Sequence, residues 1–116
     1  MSTDNRLVLT GHISCYPDPV RFHEGEEVVV DHGDDEYPGW VWIETGDGRK
    51  GWAPEEYLEI EGGRARARCG YDSTELDTRR GERVSVVLEI AGWSLVENET
   101  GARGWVPGIT LGNPEK

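Results

Sequence analysis

A chain of 116 residues with 23 acidic and 12 basic side chains, net charge −11, has the wrong sign to hold a phosphate backbone or an anionic lipid surface, and it attracts basic partners instead. It contains neither a run of 18 apolar residues nor a basic and apolar leader, so the expectation is a soluble, cytoplasmic chain that contacts neither nucleic acid nor membrane. The charge is unevenly divided: residues 1–61 hold fifteen acids against four bases, net −11, and residues 62–116 hold eight against eight, net zero. An acidic first half reads either as a field for basic partners or as a solvated surface that keeps the chain soluble.

In chain order, residues 6–13 have the β-branched and apolar content of a strand, and Cys15-Tyr16-Pro17-Asp18-Pro19 ends it, because two prolines fix φ and remove donors. Val20 and Phe22 alternate with Arg21 and His23, a turn at residues 23–26 follows, and residues 27–31 form the next strand. Residues 32–39 are an acidic, Gly- and Pro-bearing loop. A hairpin comes next, strands 40–45 and 49–53 around Gly46-Asp47-Gly48, which supplies the positive φ of a tight turn. Pro54-Glu55-Glu56-Tyr57 makes one short helical turn before a strand at 58–60. Glu61-Gly62-Gly63 is read as a linker. Beyond it, residues 64–69 alternate Arg with small residues as a half-buried strand does, Arg outward. A loop at 71–75, a turn at 80–82, a strand at 83–90, a tight turn at Ala91-Gly92 and a hairpin of 93–97 with 102–106 complete the chain.

This order occurs twice. Gly51-Trp52-Ala53-Pro54 returns as Gly104-Trp105-Val106-Pro107, and at the same offset of 53 Gly39-Trp40 falls on Gly92-Trp93, Gly48 on Gly101 and Leu58 on Leu111. Gly25-Glu26 matches Gly81-Glu82 at an offset of 56, so the first copy has three extra residues before Gly39. An internal repeat fixes the architecture before any other feature. The expectation is an all-β protein of two small five-stranded barrels in tandem, an acidic one at 1–61 and a charge-neutral one at 62–116. Units of about 55 residues are marginal, and the Arg row of 64–68 facing the acidic copy would hold the two together. Cys15 and Cys69 do not occupy equivalent places, which favours buried thiols over a disulfide framework.

Val20-Arg21-Phe22-His23-Glu24-Gly25-Glu26, Leu76-Asp77-Thr78-Arg79-Arg80-Gly81-Glu82, the paired tryptophans and the Gly-Trp-x-Pro motifs together resemble the Src homology 3 domain, in its bacterial variant form, over nearly the whole chain and twice. The resemblance implies a groove of aromatic rings that takes an extended Pro-rich peptide, a ligand that loses little entropy on binding. It assigns Tyr16, Trp40, Pro54 and Tyr57 to the groove of the first copy and Tyr71, Trp93 and Pro107 to that of the second, where Thr110 replaces the closing Tyr. It also assigns Asp18, Asp34, Asp35, Glu36, Asp72 and Glu75 to pairing with a ligand Lys or Arg, a contact that sets orientation. The first copy, richer in acids, is the stronger of the two.

Trp42, Trp52 and Trp105 are read as core and hairpin packing, Trp40 and Trp93 as binding surface. His12, His23, His32 and the two Cys show no metal spacing, and no nucleophile elbow or phosphate-binding Gly loop is present; neither cofactor nor catalysis is expected. The reading is a non-catalytic protein-interaction module for Pro-rich or basic segments, with a monomer favoured and a homodimer kept as the alternative. The alternatives are a docking subunit of a larger complex and, by the same resemblance, a binder of cell-wall peptides.

Overall fold

The computed structural model describes residues 4–14, 19–33, 36 and 38–114. Its organisation is decided at Gly62 and Gly63. Strands β6 (Leu58–Glu61) and β7 (Arg64–Ala67) pair antiparallel directly across these two residues, Glu61 opposite Arg64 and Glu59 opposite Arg66. Gly62 takes φ +63, which a two-residue hairpin turn demands and glycine adopts without strain. The stretch read as a linker is therefore a turn, and opposite charges facing each other across it fix its register.

That turn commits the strand opening the second copy to the first. The other edge of β7 pairs with β3 (Glu27–Gly33), Glu27 opposite Arg66 and Val29 opposite Arg64. With β4 (Trp40–Glu44) and β5 (Lys50–Pro54) this makes a five-stranded sheet in the order β5-β4-β3-β7-β6. A two-stranded ladder joins β2 (Arg21–Phe22) to β8 (Tyr71–Asp72). The second copy's remaining strands, β9 (Arg83–Ile90), β10 (Trp93–Asn98) and β11 (Arg103–Pro107), take their missing partner from the start of the chain: β1 (Asp4–Leu7) pairs with β9, giving the order β1-β9-β10-β11.

The two copies have thus exchanged first strands. The compact units are Met1–Cys15 with Glu75–Lys116, and Tyr16–Thr74, not 1–61 and 62–116. All-β is right; two barrels in sequence order is not the arrangement, and the sheets are open. With fifteen acids against six bases, 16–74 carries net −9, and the other unit, eight against six, carries −2. The Arg row meets acidic partners inside one sheet: Arg64 and Arg66 are exposed, Ala65 and Ala67 buried, and Arg64 Nη1 lies 3.7 Å from Glu27 Oε2.

Each unit has its own core, filled from corresponding positions. Val8, Val84, Val96, Val106 and Leu111 cluster in one, with Leu76 and Val86 against them. Val20, Val28, Ile43, Ala53, Leu58 and Ala67 are buried in the other. Val8 is wholly buried and stands where Ala67 stands: the Val8 N–H donates to the Glu82 carbonyl at 2.8 Å as that of Ala67 does to Glu26.

The glycine of each Gly-Trp-x-Pro motif sits where chain meets chain. A Cβ on Gly104 would lie 2.6 Å from the backbone N of Leu76 and 2.8 Å from the carbonyl carbon of Glu75, whereas one on Gly51 would meet only the Val20 methyls at 3.2 Å. Backbone cannot retreat as a side chain can. Gly104→Ala is expected to cost ~3 kcal/mol and Gly51→Ala under ~1 kcal/mol, measured by chemical denaturation. Equal costs would show that these contacts do not set the motif.

Candidate functional site

In the unit of 1–15 and 75–116, Ala91 (φ 48) and Gly92 (φ 88) form the tight turn that delivers Trp93 to the start of β10. Trp93 pairs across the hairpin with Pro107, and both are partly exposed. Pro107 opens a 3-10 turn, Gly108–Thr110, pinned by the Gly108 N–H on the Gly92 carbonyl at 2.9 Å and by the Thr110 hydroxyl on the Pro107 carbonyl at 2.7 Å. Thr110, at the place of a closing Tyr, is buried and holds the turn.

The second ring against Trp93 is His12. Its N–H donates to the Thr78 carbonyl at 3.0 Å, and the Thr78 N–H returns a bond to the His12 carbonyl at 2.8 Å. The imidazole stands edge-on to Trp93, centroids 5.8 Å apart at 83°. Its Nε2 lies 2.6 Å from Glu75 Oε1, and both side chains are largely withdrawn from solvent, 13% and 9% exposed. Glu75 is therefore already paired.

In the unit of 16–74, Trp40 pairs with Pro54 in the same way, and the Glu55 N–H donates to the Gly39 carbonyl at 2.7 Å, opening the 3-10 turn Glu55–Tyr57. Here the pair is inside: Trp40 is 5% exposed and Pro54 less than 2%. Trp40 and Val41 are buried in succession, so Trp40, read as binding surface, is enclosed at this strand end. Tyr71 lies 5.3 Å from Phe22 and edge-on to Tyr57 at 5.8 Å, and its hydroxyl donates to the Trp52 carbonyl at 3.0 Å. Tyr57 is half-buried; burial pushes its phenol pKa up, and Cys69 and the Glu56 carboxylate add to the rise.

The assigned residues therefore group differently from the expectation. Tyr71, assigned to the second copy's groove, joins Tyr57 of the first, because β8 pairs with β2. Asp72 goes with it, its Oδ2 2.8 Å from Arg21 Nε and its Oδ1 accepting from the Thr74 amide at 2.9 Å. Burial raises the Asp72 pKa, but the Thr74 and Arg21 bonds outweigh it and the net direction is down. Glu36 is exposed, and Tyr16, Asp18, Asp34 and Asp35 lie outside the described residues. Cys69 is a free, half-buried thiol. Trp105 is core, and Trp42 and Trp52, half-buried, pack on each other across the β4–β5 hairpin, edge-on at 5.1 Å, with the His32 ring stacked beside Trp42 at 6.3 Å.

His12 is the residue that sequence reasoning missed, because the first strands were aligned at the offset of 56. The bond pattern sets them at 59, where Gly11-His12 falls on Gly70-Tyr71. The Gly-ring dipeptide was the available signal, and Gly11 is needed there: a Cβ would lie 2.9 Å from the Thr78 carbonyl oxygen.

In both units of this all-β chain a tryptophan and a proline face each other across a hairpin, and the proline opens a single 3-10 turn. Residues 8–61 match the family model described as variant SH3 domain, which supports an SH3-like fold for that stretch. SH3 domains generally mediate protein–protein interactions and are typically non-catalytic. No curated protein and no solved structure matches the chain. The matched stretch follows chain order and crosses both compact units, since its first residues, from Val8, belong to the unit completed by 75–116.

Proposed function

We propose that this chain is a non-catalytic protein-interaction module whose binding face is the Trp93–Pro107 pair with His12 beside it. The supporting observation is the accessibility of that pair against the burial of its counterpart, Trp40–Pro54. A partly exposed indole next to a proline offers a flat apolar shelf for the rings of an extended Pro-rich segment, which reaches the surface already ordered. This reverses the preference for the acidic first copy. A ligand Arg or Lys beside the shelf competes with His12 for Glu75, so the imidazole occupies the place of the ligand's cation and moderates selection for basic segments.

The test is titration of the 15N-indole-labelled chain with Pro-rich peptides, with and without a flanking Arg. Trp93→Ala is expected to weaken binding ~30-fold, the loss typical of a central aromatic anchor. His12→Ala frees the Glu75 carboxylate and is expected to raise the preference for the Arg-bearing peptide over its Arg-free counterpart ~5-fold. If the Trp93 indole resonance stays still across the panel, the groove reading is wrong.

A second reading, a docking component of a larger complex, is supported by Ile13 and Ile109, which are 77% and 84% exposed in the same unit. It predicts that Ile109→Asp abolishes co-purification with the partner and has no effect on peptide titrations.

A further inference from the structure

The hydrogen bonds that hold residues 4–14 run to the far end of the sequence. Asp4, Asn5, Arg6 and Leu7 lie opposite Val86, Ser85, Val84 and Arg83. The Gly81 N–H donates to the Val8 carbonyl at 2.8 Å, the Leu9 N–H to the Thr110 carbonyl at 2.8 Å, the Gly112 N–H to the Leu7 carbonyl at 2.8 Å, and the Ser14 N–H to Asp77 Oδ1 at 2.7 Å. Val8 is wholly buried among Val84, Val96, Val106 and Leu111. Between this segment and its receiving sheet the chain passes through a separate compact unit, residues 16–74, whose sheet is closed to β1 because β7 already occupies the position beside β3. The strand is therefore tied to its slot through that unit, whose two ends are held side by side by the Val20 N–H on Ser73 Oγ at 2.8 Å and the Ser73 N–H on the Val20 carbonyl at 3.0 Å. The slot cannot distinguish its own chain's strand from an identical one, so occupancy follows concentration.

We propose that this chain forms a strand-exchanged dimer in which residues 4–14 of each molecule complete the 75–114 unit of the other. The partner is a second copy, and the interface consists of the same bonds already present within one chain. Every interaction lost on opening is regained in the dimer, so what favours the monomer is the effective concentration that this tether confers. One chain would then supply His12 to Trp93 and Glu75 of the other, and each shelf would be built from two molecules.

Asn5 and Ser85 face each other across the ladder, with the Ser85 hydroxyl donating to Asn5 Oδ1 at 3.1 Å, so cysteines at these positions can bond. In full-length chains with Cys15→Ser and Cys69→Ser, an Asn5→Cys chain and a Ser85→Cys chain are mixed, unfolded, refolded together and oxidised. Refolding at ~1 mM, the scale of effective concentration for a flexible tether, is expected to yield the mixed disulfide at ~10 times the fraction seen at ~10 μM. It should also exceed that of a control pair, Asn5→Cys with Glu99→Cys, whose second position lies in the exposed β10–β11 turn. Light scattering on the unsubstituted chain refolded at the higher concentration should show a species of twice the 13.0 kDa monomer mass. The proposal is overturned if the mixed disulfide never exceeds the control, or if the unsubstituted chain stays monomeric at both concentrations.

Discussion

A fragment spanning residues 16–74 is expected to fold alone, with dispersed amide resonances and a cooperative thermal transition, whereas residues 1–61, the first copy as the repeat delimits it, are expected to stay unfolded. The first fragment contains the five-stranded sheet, the β2–β8 ladder and the core around Ile43 and Val20. The second lacks β7 and Tyr71, which leaves β3 and β6 without the strand between them and removes a ring only 9% exposed. At ~25 cal/mol per Å2 over the ~150–200 Å2 that a tyrosine buries, that ring alone is worth ~4 kcal/mol. A unit of about 60 residues rarely has more than 3–5 kcal/mol in hand, so the loss is fatal. A folded 1–61 would show that β1 can take the place of β7 beside β3 and that the Tyr71 ring is not required.

The second large effect follows from the same exchange. Val8→Asp, a substitution in the first copy, is expected to unfold the part of the chain that carries the second, residues 75–114, while residues 16–74 keep their amide protection. Val8 is 0% exposed among four apolar neighbours, and a carboxylate buried there without a partner costs several kcal/mol, on the order of the whole stability of such a unit. Ala67→Asp, at the corresponding position on β7, is expected to do the reverse and release 16–74. Residue-resolved hydrogen exchange reads both. Loss of protection in 16–74 from Val8→Asp would contradict the pairing of β1 with β9.

The hairpins were legible because their chemistry is local. Gly46-Asp47-Gly48 and Ala91-Gly92 supply positive φ between alternating runs, and Gly48 and Gly92 adopt it, at 86° and 88°. Gly62-Gly63 offered the same signal, two glycines between alternating strands, and a linker was read there only because the repeat boundary fell on it. The wrong grouping of Tyr71 with Trp93 followed from that one turn, and His12 was hidden by the offset of 56, where 59 sets Gly11-His12 on Gly70-Tyr71. Burial of the site residues was less legible. Trp40 and Trp93 have the same neighbours in sequence, Gly before and a cross-strand Pro opposite, yet one is enclosed and the other partly open.

By itself the sequence determined the all-β class and most of the strands and hairpin turns, because each of these depends on side-chain alternation and on backbone freedom within a few residues. Which copy's strand completes which sheet was decided only in three dimensions. The first strands of both copies satisfy the same edge with the same hydrogen bonds, and a two-residue turn holds β7 against β6, leaving β1 for β9. Exposure of the rings was settled there too, since it depends on what the folded chain lays over them and not on the residues beside them.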